Sequence, residues 1–349
     1  MGDSIIRIIT NMYTRRLFAL CLLVFVFFII DVFWGLKSFD YQFIIDFFKG
    51  NALENPSYTT LLLFRLPKAI TAVLVGMALS VSGLLMQTVF RNPLAGPYVL
   101  GVSSGAGLGV ALAILGFSAI GISIPFGLQN GMVILFAVVG ATFVLGILLL
   151  VSMRINDIMT ILILGMLFSS AISALISILQ YFSPESSLKA YVIWTMGSLA
   201  TVSYSQLVWL SLAVTFGILL AFLKVKDLDL MLLGEQYAIS TGLNVKRFRV
   251  IIFIATGLLA GSVTAFCGPI GFIGVAVPHI ARIVTRTTDH FYLLIFSSLI
   301  GACVVLLSDI LSQLPGTIGV LPINSVTALL GIPVVVWIIF NNHRFGSGF

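Results

Sequence analysis

Long uninterrupted apolar blocks constrain this chain more than any other feature of its sequence. Residues 17–30 are LFALCLLVFVFFII and residues 132–151 are MVILFAVVGATFVLGILLLV. A block of about 20 apolar residues is long enough to cross a bilayer as a helix, and these blocks lack the alternation of a β-barrel strand. Only 9% of the residues are charged, against about 25% in an average soluble protein. We therefore predict an all-α polytopic membrane protein.

Ten such blocks can be delimited, and they predict ten transmembrane helices in a single domain covering residues 1–349. Their approximate ranges are 17–36, 66–90, 101–117, 130–151, 158–181, 206–224, 248–267, 270–287, 291–312 and 324–341. The first block lacks a clear signal-peptidase site and is interpreted as a retained span. An even number of spans places both termini on one side of the membrane.

The distribution of basic residues predicts which side that is. With the N-terminus inside, the inner segments hold thirteen of the 18 Lys and Arg residues. The outer segments hold the remaining five, which are Lys37, Lys49, Arg65, Lys68 and Lys189. This excess follows the positive-inside rule, so both termini are predicted to be cytoplasmic. The net charge of +6 is then explained by cytoplasmic loops and indicates no nucleic-acid partner.

The chain lacks the motifs of several other chemistries. It has no G-x-x-x-x-G-K-[ST] sequence, so it does not hold ATP in a P-loop. It has no HExxH and no recognisable carboxylate pair, which leaves a membrane enzyme with little to support it. The three cysteines have no metal-ligand spacing, and we expect them to be small buried hydrophobes, with no metal or cofactor on this chain. A self-sufficient secondary transporter or channel remains an alternative, although such carriers usually hold ionisable groups at membrane depth.

The polar connection 225–247 is the most informative segment outside the apolar blocks. Gly234 and Gly242 suit breaks at helix ends, so the segment is predicted to form two short helices at the membrane surface. One interpretation is an interfacial anchor, and the other is a docking element for a cytoplasmic protein. The segment's own residues leave both open.

Glycines and prolines mark the stretch 91–109, RNPLAGPYVLGVSSGAGLG. Pro93 and Pro97 end the preceding helix, since neither has a backbone N–H to donate. Gly101, Gly105 and Gly109 recur every four residues and predict a thin helix face that packs closely against a neighbour.

Four stretches, in the same order, resemble the permease subunits of bacterial iron-chelate and cobalamin ATP-binding-cassette (ABC) importers of type II. They are RLPKAITAVLVGMALSVSGLLMQTVFRNPLAGPYVLGVSSGAGLG (65–109), MLLGEQYAISTGL (231–243), CGPIGFIGVAVPHIARIVTRTTDH (267–290) and LPINSVTALLGIPVVVWII (321–339). The resemblance covers about residues 60–342.

This resemblance implies a multi-pass subunit of the bacterial cytoplasmic (inner) membrane. Such permeases have ten spans and form a homodimer, joined by two cytoplasmic ATPase subunits and an external substrate-binding protein. ATP and Mg²⁺ bind to the ATPase subunits. The expected substrate is an iron–siderophore, haem or cobalamin-type chelate, moved by alternating access without covalent chemistry.

The resemblance also implies roles for particular residues. The ATPase-coupling positions would be Gly234, Glu235, Gln236, Ala238 and Gly242 in the coupling segment 225–247. Arg65 and Lys68 match basic positions that receive acidic residues of the binding protein, although they could instead anchor the span at the headgroups. The candidates for the pathway and its gate are Gln87, Asn92, Ser103, Asn156, Asp157 and Thr160. His279 and Arg282 are interpreted as structural.

Three positions depart from the family pattern. Gln313 stands where the family commonly has an arginine near the end of the ninth span. Val320 and Asn324 replace the glutamate and glycine of a Glu-Leu-Pro-x-Gly motif. One outer docking cation is therefore expected to be absent.

Overall fold

The fold is all-α, as predicted, over the residues that the computed structural model describes, which are 2–34, 59–119, 126–155, 157–313 and 319–342. The helices are α1 Gly2–Phe33, α2 Leu66–Phe90, α3 Val102–Ala111, α4 Phe126–Arg154, α5 Ile158–Tyr181, α6 Glu185–Thr195, α7 Tyr204–Leu223, α8 Val225–Leu232, α9 Glu235–Ser240, α10 Val245–Cys267, α11 Ile273–Thr285, α12 His290–Ser312 and α13 Ile323–Asn342. A π-helical turn, Leu61–Arg65, leads into α2, and another, Leu112–Gly116, extends α3.

Within these ranges, seven helical segments are long and apolar enough to cross a membrane. They are Met12–Phe33, Leu61–Phe90, Asn130–Arg154, Ile158–Tyr181, Tyr204–Leu223, Val245–Cys267 and His290–Ser312. Three shorter apolar helices, Val102–Gly116, Ile273–Thr285 and Ile323–Trp337, complete the series. Together they follow the order of the ten predicted blocks, while the count of ten spans and the side of the termini stay predictions. Helix α6 was not predicted as an element of its own.

Helix α2 is the centre of the bundle and packs against α7, α10, α11 and α12. In its most apolar window 78% of the residues are buried, against 11% for the span in α1. Gly76 meets Gly301 of α12, and Gly83 meets Gly274 of α11, so closely that a Cβ atom at Gly76 or Gly83 would overlap the partner's backbone. Lipid gives helices no hydrophobic reason to associate, so close backbone contacts of this kind hold the bundle together.

The predicted glycine face of α3 is confirmed. Cβ atoms at Gly105 and Gly109 would collide with α4, at Gly140 and Phe136 respectively. Gly101 has φ 70° and starts the helix in a conformation that glycine adopts without strain. The row of small residues is therefore an internal packing surface between α3 and α4.

A short non-helical stretch, Gly268–Phe272, separates α10 from α11. The Tyr98 hydroxyl donates to the carbonyl of Ile270 over 2.6 Å and accepts from its N–H over 3.1 Å. The Asn324 Oδ1 atom accepts from the Gly271 N–H over 2.9 Å. Buried backbone groups outside a helix need hydrogen-bond partners from the surrounding protein. The departure from glycine at Asn324 thus supplies a needed acceptor.

The two ends of α2 are used below as reference points and are named the Lys68 end and the Arg91 end. Helices α8 and α9 lie at the Arg91 end, where Arg91 bonds the carbonyl of Met231. The expectation for the cysteines is correct for the buried Cys267 and Cys303 and wrong for Cys21, which is exposed on α1. It was placed in the interior because its block is apolar, but the faces of a membrane helix that meet lipid are apolar as well.

Candidate coupling and docking sites

The coupling segment folds into two short helices, α8 and α9, at the predicted positions. Gly234 and Gly242, at φ 122° and 90°, make the breaks that other residues adopt only under strain. Leu228, Met231 and Ala238 are buried against the bundle. The opposite face exposes 65% of Leu233, 49% of Tyr237 and 51% of Ile239. The segment is therefore anchored on one side and presents several apolar side chains on its free side.

Glu235 lies on the anchored side of the coupling segment. Its Oε2 atom accepts a hydrogen bond from Nη2 of Arg249 over 2.7 Å, and the Arg249 side chain is only 1% exposed. A buried guanidinium requires an anionic partner, and Glu235 provides one within the chain. Gln236 beside it is exposed. The geometry gives Glu235 an internal role, while its predicted role in contacting an ATPase stays a prediction.

Arg91 ties the end of α2 to the coupling segment. It occupies the left-handed conformation, at φ 48°, in which a helix commonly ends on glycine. Its Nη2 atom donates to the Met231 carbonyl of α8 over 2.8 Å. Glycine would adopt this backbone conformation without strain, but it could not make the hydrogen bond to α8. From the sequence, Arg91 is only one of the thirteen basic residues of the predicted inner segments.

His290, at the start of α12, makes a second tie between the same two elements. Its Nδ1 atom lies 2.6 Å from Oδ1 of Asp229 on α8, and its Nε2 atom lies 2.8 Å from the Thr88 hydroxyl on α2. The backbone N–H of His290 also donates to Asp229 Oδ1, over 3.0 Å. Partial burial opposes ionisation of Asp229, but the hydrogen bonds and charge of His290 outweigh it and lower the pKa of that carboxyl. In the sequence, His290 is marked only by its position after Asp289, at the start of α12.

Gln87 is wholly buried and uses both ends of its amide within the chain. Its Nε2 atom donates to the Val275 carbonyl over 3.1 Å, and its Oε1 atom accepts from Nη1 of Arg282 over 2.6 Å. His279 Nε2 lies 2.8 Å from the Pro93 carbonyl. These bonds fix α11 to the Arg91 end, in agreement with a structural role for His279 and Arg282. The pathway role of Gln87 stays a prediction.

Asn92 and Ser103 flank the connection between α2 and α3. The Asn92 Oδ1 atom accepts from the Leu94 N–H over 2.9 Å and closes the turn after α2. Ser103 is partly buried in the first turn of α3. Asn92 thus acts as a local turn residue here, and the predicted contact of either residue with substrate is untested.

Asp157 caps the N-terminus of α5. Its carboxylate accepts from the Thr160 hydroxyl over 2.5 Å, from the Thr160 N–H over 2.9 Å and from the Met159 N–H over 3.3 Å. These bonds, with that from the Thr160 hydroxyl foremost, lower the pKa of the exposed Asp157 carboxyl. Asn156 lies outside the described residues. The gate assigned to this connection remains a prediction.

The Lys68 end contains a buried charge cluster that the sequence did not reveal. Lys68 Nζ lies 2.6 Å from Oδ2 of Asp309 on α12 and 3.8 Å from Oδ1 of Asp31 on α1. Gln313 Nε2 donates to Asp309 Oδ2 over 3.2 Å. All four side chains are buried. The expectation that the chain has no carboxylate pair is therefore wrong, because residues from opposite ends of the sequence form one.

Arg65 and Lys68, the predicted docking cations, lie in different surroundings. Lys68 is committed to Asp309 within the chain. Arg65 is partly buried, and its Nη1 atom donates to the Phe33 carbonyl over 3.3 Å. Docking of a binding protein stays a prediction for both residues, and the geometry leaves Arg65 the more accessible of the two.

Comparison with known proteins identifies the family. The sequence profile of the FecCD transport family matches residues 22–341. The vitamin B12 import system permease protein BtuC of Klebsiella pneumoniae subsp. pneumoniae is 36% identical over 282 residues, which is 81% of this chain and 82% of that protein. The hemin transport system permease protein HmuU of Yersinia pestis is 34% identical over 289 residues, 81% of this chain and 84% of its own length.

A solved structure described as a metal-chelate type ABC transporter in an inward-facing conformation has the same fold. It superposes with a TM-score of 0.82 at 28% identity and covers 94% of this chain and 99% of its own. The profile match, the two permease relatives and this superposition together show that the chain belongs to the FecCD transport family.

Proposed function

We propose that this chain is the membrane permease subunit of an ATP-driven importer for a metal chelate, located in the bacterial cytoplasmic membrane. The observation that carries the proposal is that two import permeases, named for vitamin B12 and hemin, each match 81% of the chain. Cobalamin, haem and ferric siderophores are the substrate candidates. The chain itself is a transport subunit and performs no covalent reaction.

The proposed assembly is a homodimer with ten spans per subunit, both termini in the cytoplasm, two ATPase subunits and an external binding protein. Seven long and three shorter apolar helices support the span count. The excess of basic residues in the predicted inner segments supports the orientation. ATP and Mg²⁺ are assigned to the ATPase subunits, since this sequence has no P-loop.

The free face of the coupling segment is the proposed ATPase contact. Leu233, Tyr237 and Ile239 are exposed there, on a segment that bears Lys226 and Asp227 and connects two apolar helices. Exposed apolar side chains outside a membrane span indicate a protein partner, and tyrosine is common among residues that dominate binding energy. Glu235, bonded to Arg249, positions this face.

A cavity of about 530 Å³ is the proposed outer part of the substrate pathway. It lies between α3, α4, α6 and α10, and its lining includes Ser118, Ser187, Trp194 and Ser198. None of its lining residues is charged. Hydroxyl and aromatic groups of this kind suit a large chelate whose metal is already fully coordinated.

Reconstitution tests the proposed function. The permease, its ATPase and its binding protein are placed in proteoliposomes, and uptake of cyanocobalamin, hemin and a ferric siderophore is measured with and without ATP. We expect uptake of one class that requires ATP, the ATPase and the binding protein. Uptake by the permease alone, driven by a proton or sodium gradient, would establish the secondary-transporter alternative instead.

Two tyrosine variants test whether the free face of the coupling segment contacts the ATPase. Tyr237→Ala should weaken ATPase binding about 30-fold, the effect of losing about 2 kcal/mol at an interface hot spot. Tyr181→Ala is the matched control, because Tyr181 is 84% exposed at the far end of α5. Affinity measured by titrating the ATPase onto permease in nanodiscs should not change for that control. Equal affinities for wild type and Tyr237→Ala would remove this face from the interface.

A further inference from the structure

Three helices meet at one chain of side-chain hydrogen bonds at the Arg91 end. Asp229 belongs to α8 in the coupling segment, His290 begins α12, and Thr88 lies in the last turn of α2. The bonds run from Asp229 Oδ1 to His290 Nδ1, over 2.6 Å, and from His290 Nε2 to Thr88 Oγ1, over 2.8 Å. We call these three residues the relay.

The relay has little freedom to rearrange. The His290 side chain is 1% exposed, and both of its ring nitrogens are engaged. The Thr88 hydroxyl also bonds the Leu84 carbonyl of its own helix, over 3.0 Å. Hydrogen bonds weaken steeply once their distance and angle change, and water cannot replace a partner at a buried ring. A shift of α8 must therefore either carry Thr88 with it or break the relay.

The remaining contacts between α8 and α2 constrain the relative position of the two helices less than the relay does. Leu228 and Met231 of α8 are buried among apolar side chains, and such contacts are non-directional. Arg91 is an exposed residue, and it bonds the Met231 carbonyl through a long side chain. Thr88, by contrast, is adjacent to Gln87, which bonds both Val275 and Arg282 of α11. A displacement that reaches Thr88 is thereby passed to α11 as well.

We propose that Asp229, His290 and Thr88 are positioning residues that transmit movement of the coupling segment to α2 and α11. The proposal rests on the proposed function, since it requires an ATPase that moves the segment. It assigns the relay no contact with substrate or nucleotide.

The test separates transmission from assembly. Thr88→Val removes the oxygen from a buried side chain at nearly constant volume. Thr71→Val is its matched control, because Thr71 is equally buried on α2 and its hydroxyl bonds only the Pro67 carbonyl of the same helix. Asp229→Ala breaks the relay at its other end. Each complex is assayed for ATPase co-purification, thermal midpoint, basal ATP hydrolysis and substrate taken up per ATP hydrolysed.

We expect Thr88→Val and Asp229→Ala to lower uptake per ATP about tenfold, the scale of a typical coupling free energy, with assembly and basal hydrolysis retained. The double variant should lose little more than either single variant, because both break the same chain. Uptake per ATP equal to that of Thr71→Val would overturn the proposal. The proposal would also be overturned if assembly, hydrolysis and uptake all fell together with the thermal midpoint, because the variants would then act by general destabilisation. If the wild type neither binds an ATPase nor uses ATP for uptake, the proposed function itself fails, which is a separate outcome.

Discussion

The two ends of α2 hold their neighbours in different ways. At the Lys68 end, Lys68, Asp309 and Asp31 are all nearly inaccessible and pair with one another between three helices. At the Arg91 end, one partner in each pair remains partly in water, since the side chains of Glu235 and Asp229 are 34% and 39% exposed. Removal of Lys68 would leave buried carboxyl groups without their cation, whereas Glu235 or Asp229 can remain hydrated when its buried partner is removed. We therefore expect the ion pairs of the Lys68 end to contribute more to stability than the pairs of the Arg91 end.

Lys68→Met is expected to have the largest effect on stability. It leaves Asp31 and Asp309 without their cation, and we expect it to lower the free energy of unfolding by about 3–5 kcal/mol. Thermal unfolding in nanodiscs measures the loss. The double variant Lys68→Met/Asp309→Asn should recover much of the stability, because it removes one of the two carboxylates. A single variant as stable as the wild type would show that the cluster contributes little to stability.

Arg249→Met tests the Arg91 end in the same assay. Glu235 can stay hydrated when its partner is lost, so the expected cost is smaller, about 1–2 kcal/mol. Arg247→Met serves as the control, since Arg247 is exposed two residues earlier on the helix that carries Arg249. The expected difference between the two ends would be contradicted if Arg249→Met cost as much stability as Lys68→Met.

Asp157→Asn should have the smallest effect, because Asp157 is exposed and its partners are hydrogen-bond donors without charge. The lowered pKa of Asp157 means that its stabilising contribution is present above the ordinary aspartate pKa, about 3.9, and is lost as the pH falls through the folded-state value. The thermal midpoint of the wild type should therefore fall more between pH 6 and about pH 3 than that of Asp157→Asn, which keeps a capping oxygen. Parallel profiles for the two proteins would contradict the assignment.

The helices were predictable because their signals are local. The block at 158–181 coincides with α5, and Gly234 and Gly242 mark the breaks around α9. Apolar length and glycine conformation depend on neighbouring residues alone, so one sequence contains them. Helix α6 was missed because it is short and has no continuous apolar block.

The partners of the polar side chains were not predictable in the same way. Asp31 and Asp309 meet Lys68 only after α1, α2 and α12 have packed, and no spacing in the sequence records that meeting. Gln87 is a predicted pathway residue, and the structure adds that its amide joins α2 to α11. A polar residue in a membrane helix indicates that a partner exists, and only the packing says which one.

The central position of α2 has a consequence for how the protein is made. Helix α2 enters the bilayer early in synthesis, before α10, α11 and α12, which later enclose it, have been translated. Its buried hydroxyls on Thr71, Ser82 and Thr88 bond carbonyls of their own helix, so lipid around them leaves no hydroxyl unsatisfied. Gln87 finds its partners only on α11, and Lys68 finds its nearer partner, Asp309, only on α12. Both residues lie near the ends of α2, where a long side chain reaches the headgroups. The most enclosed helix of the protein is thus also one that can remain in lipid until the rest of the chain arrives.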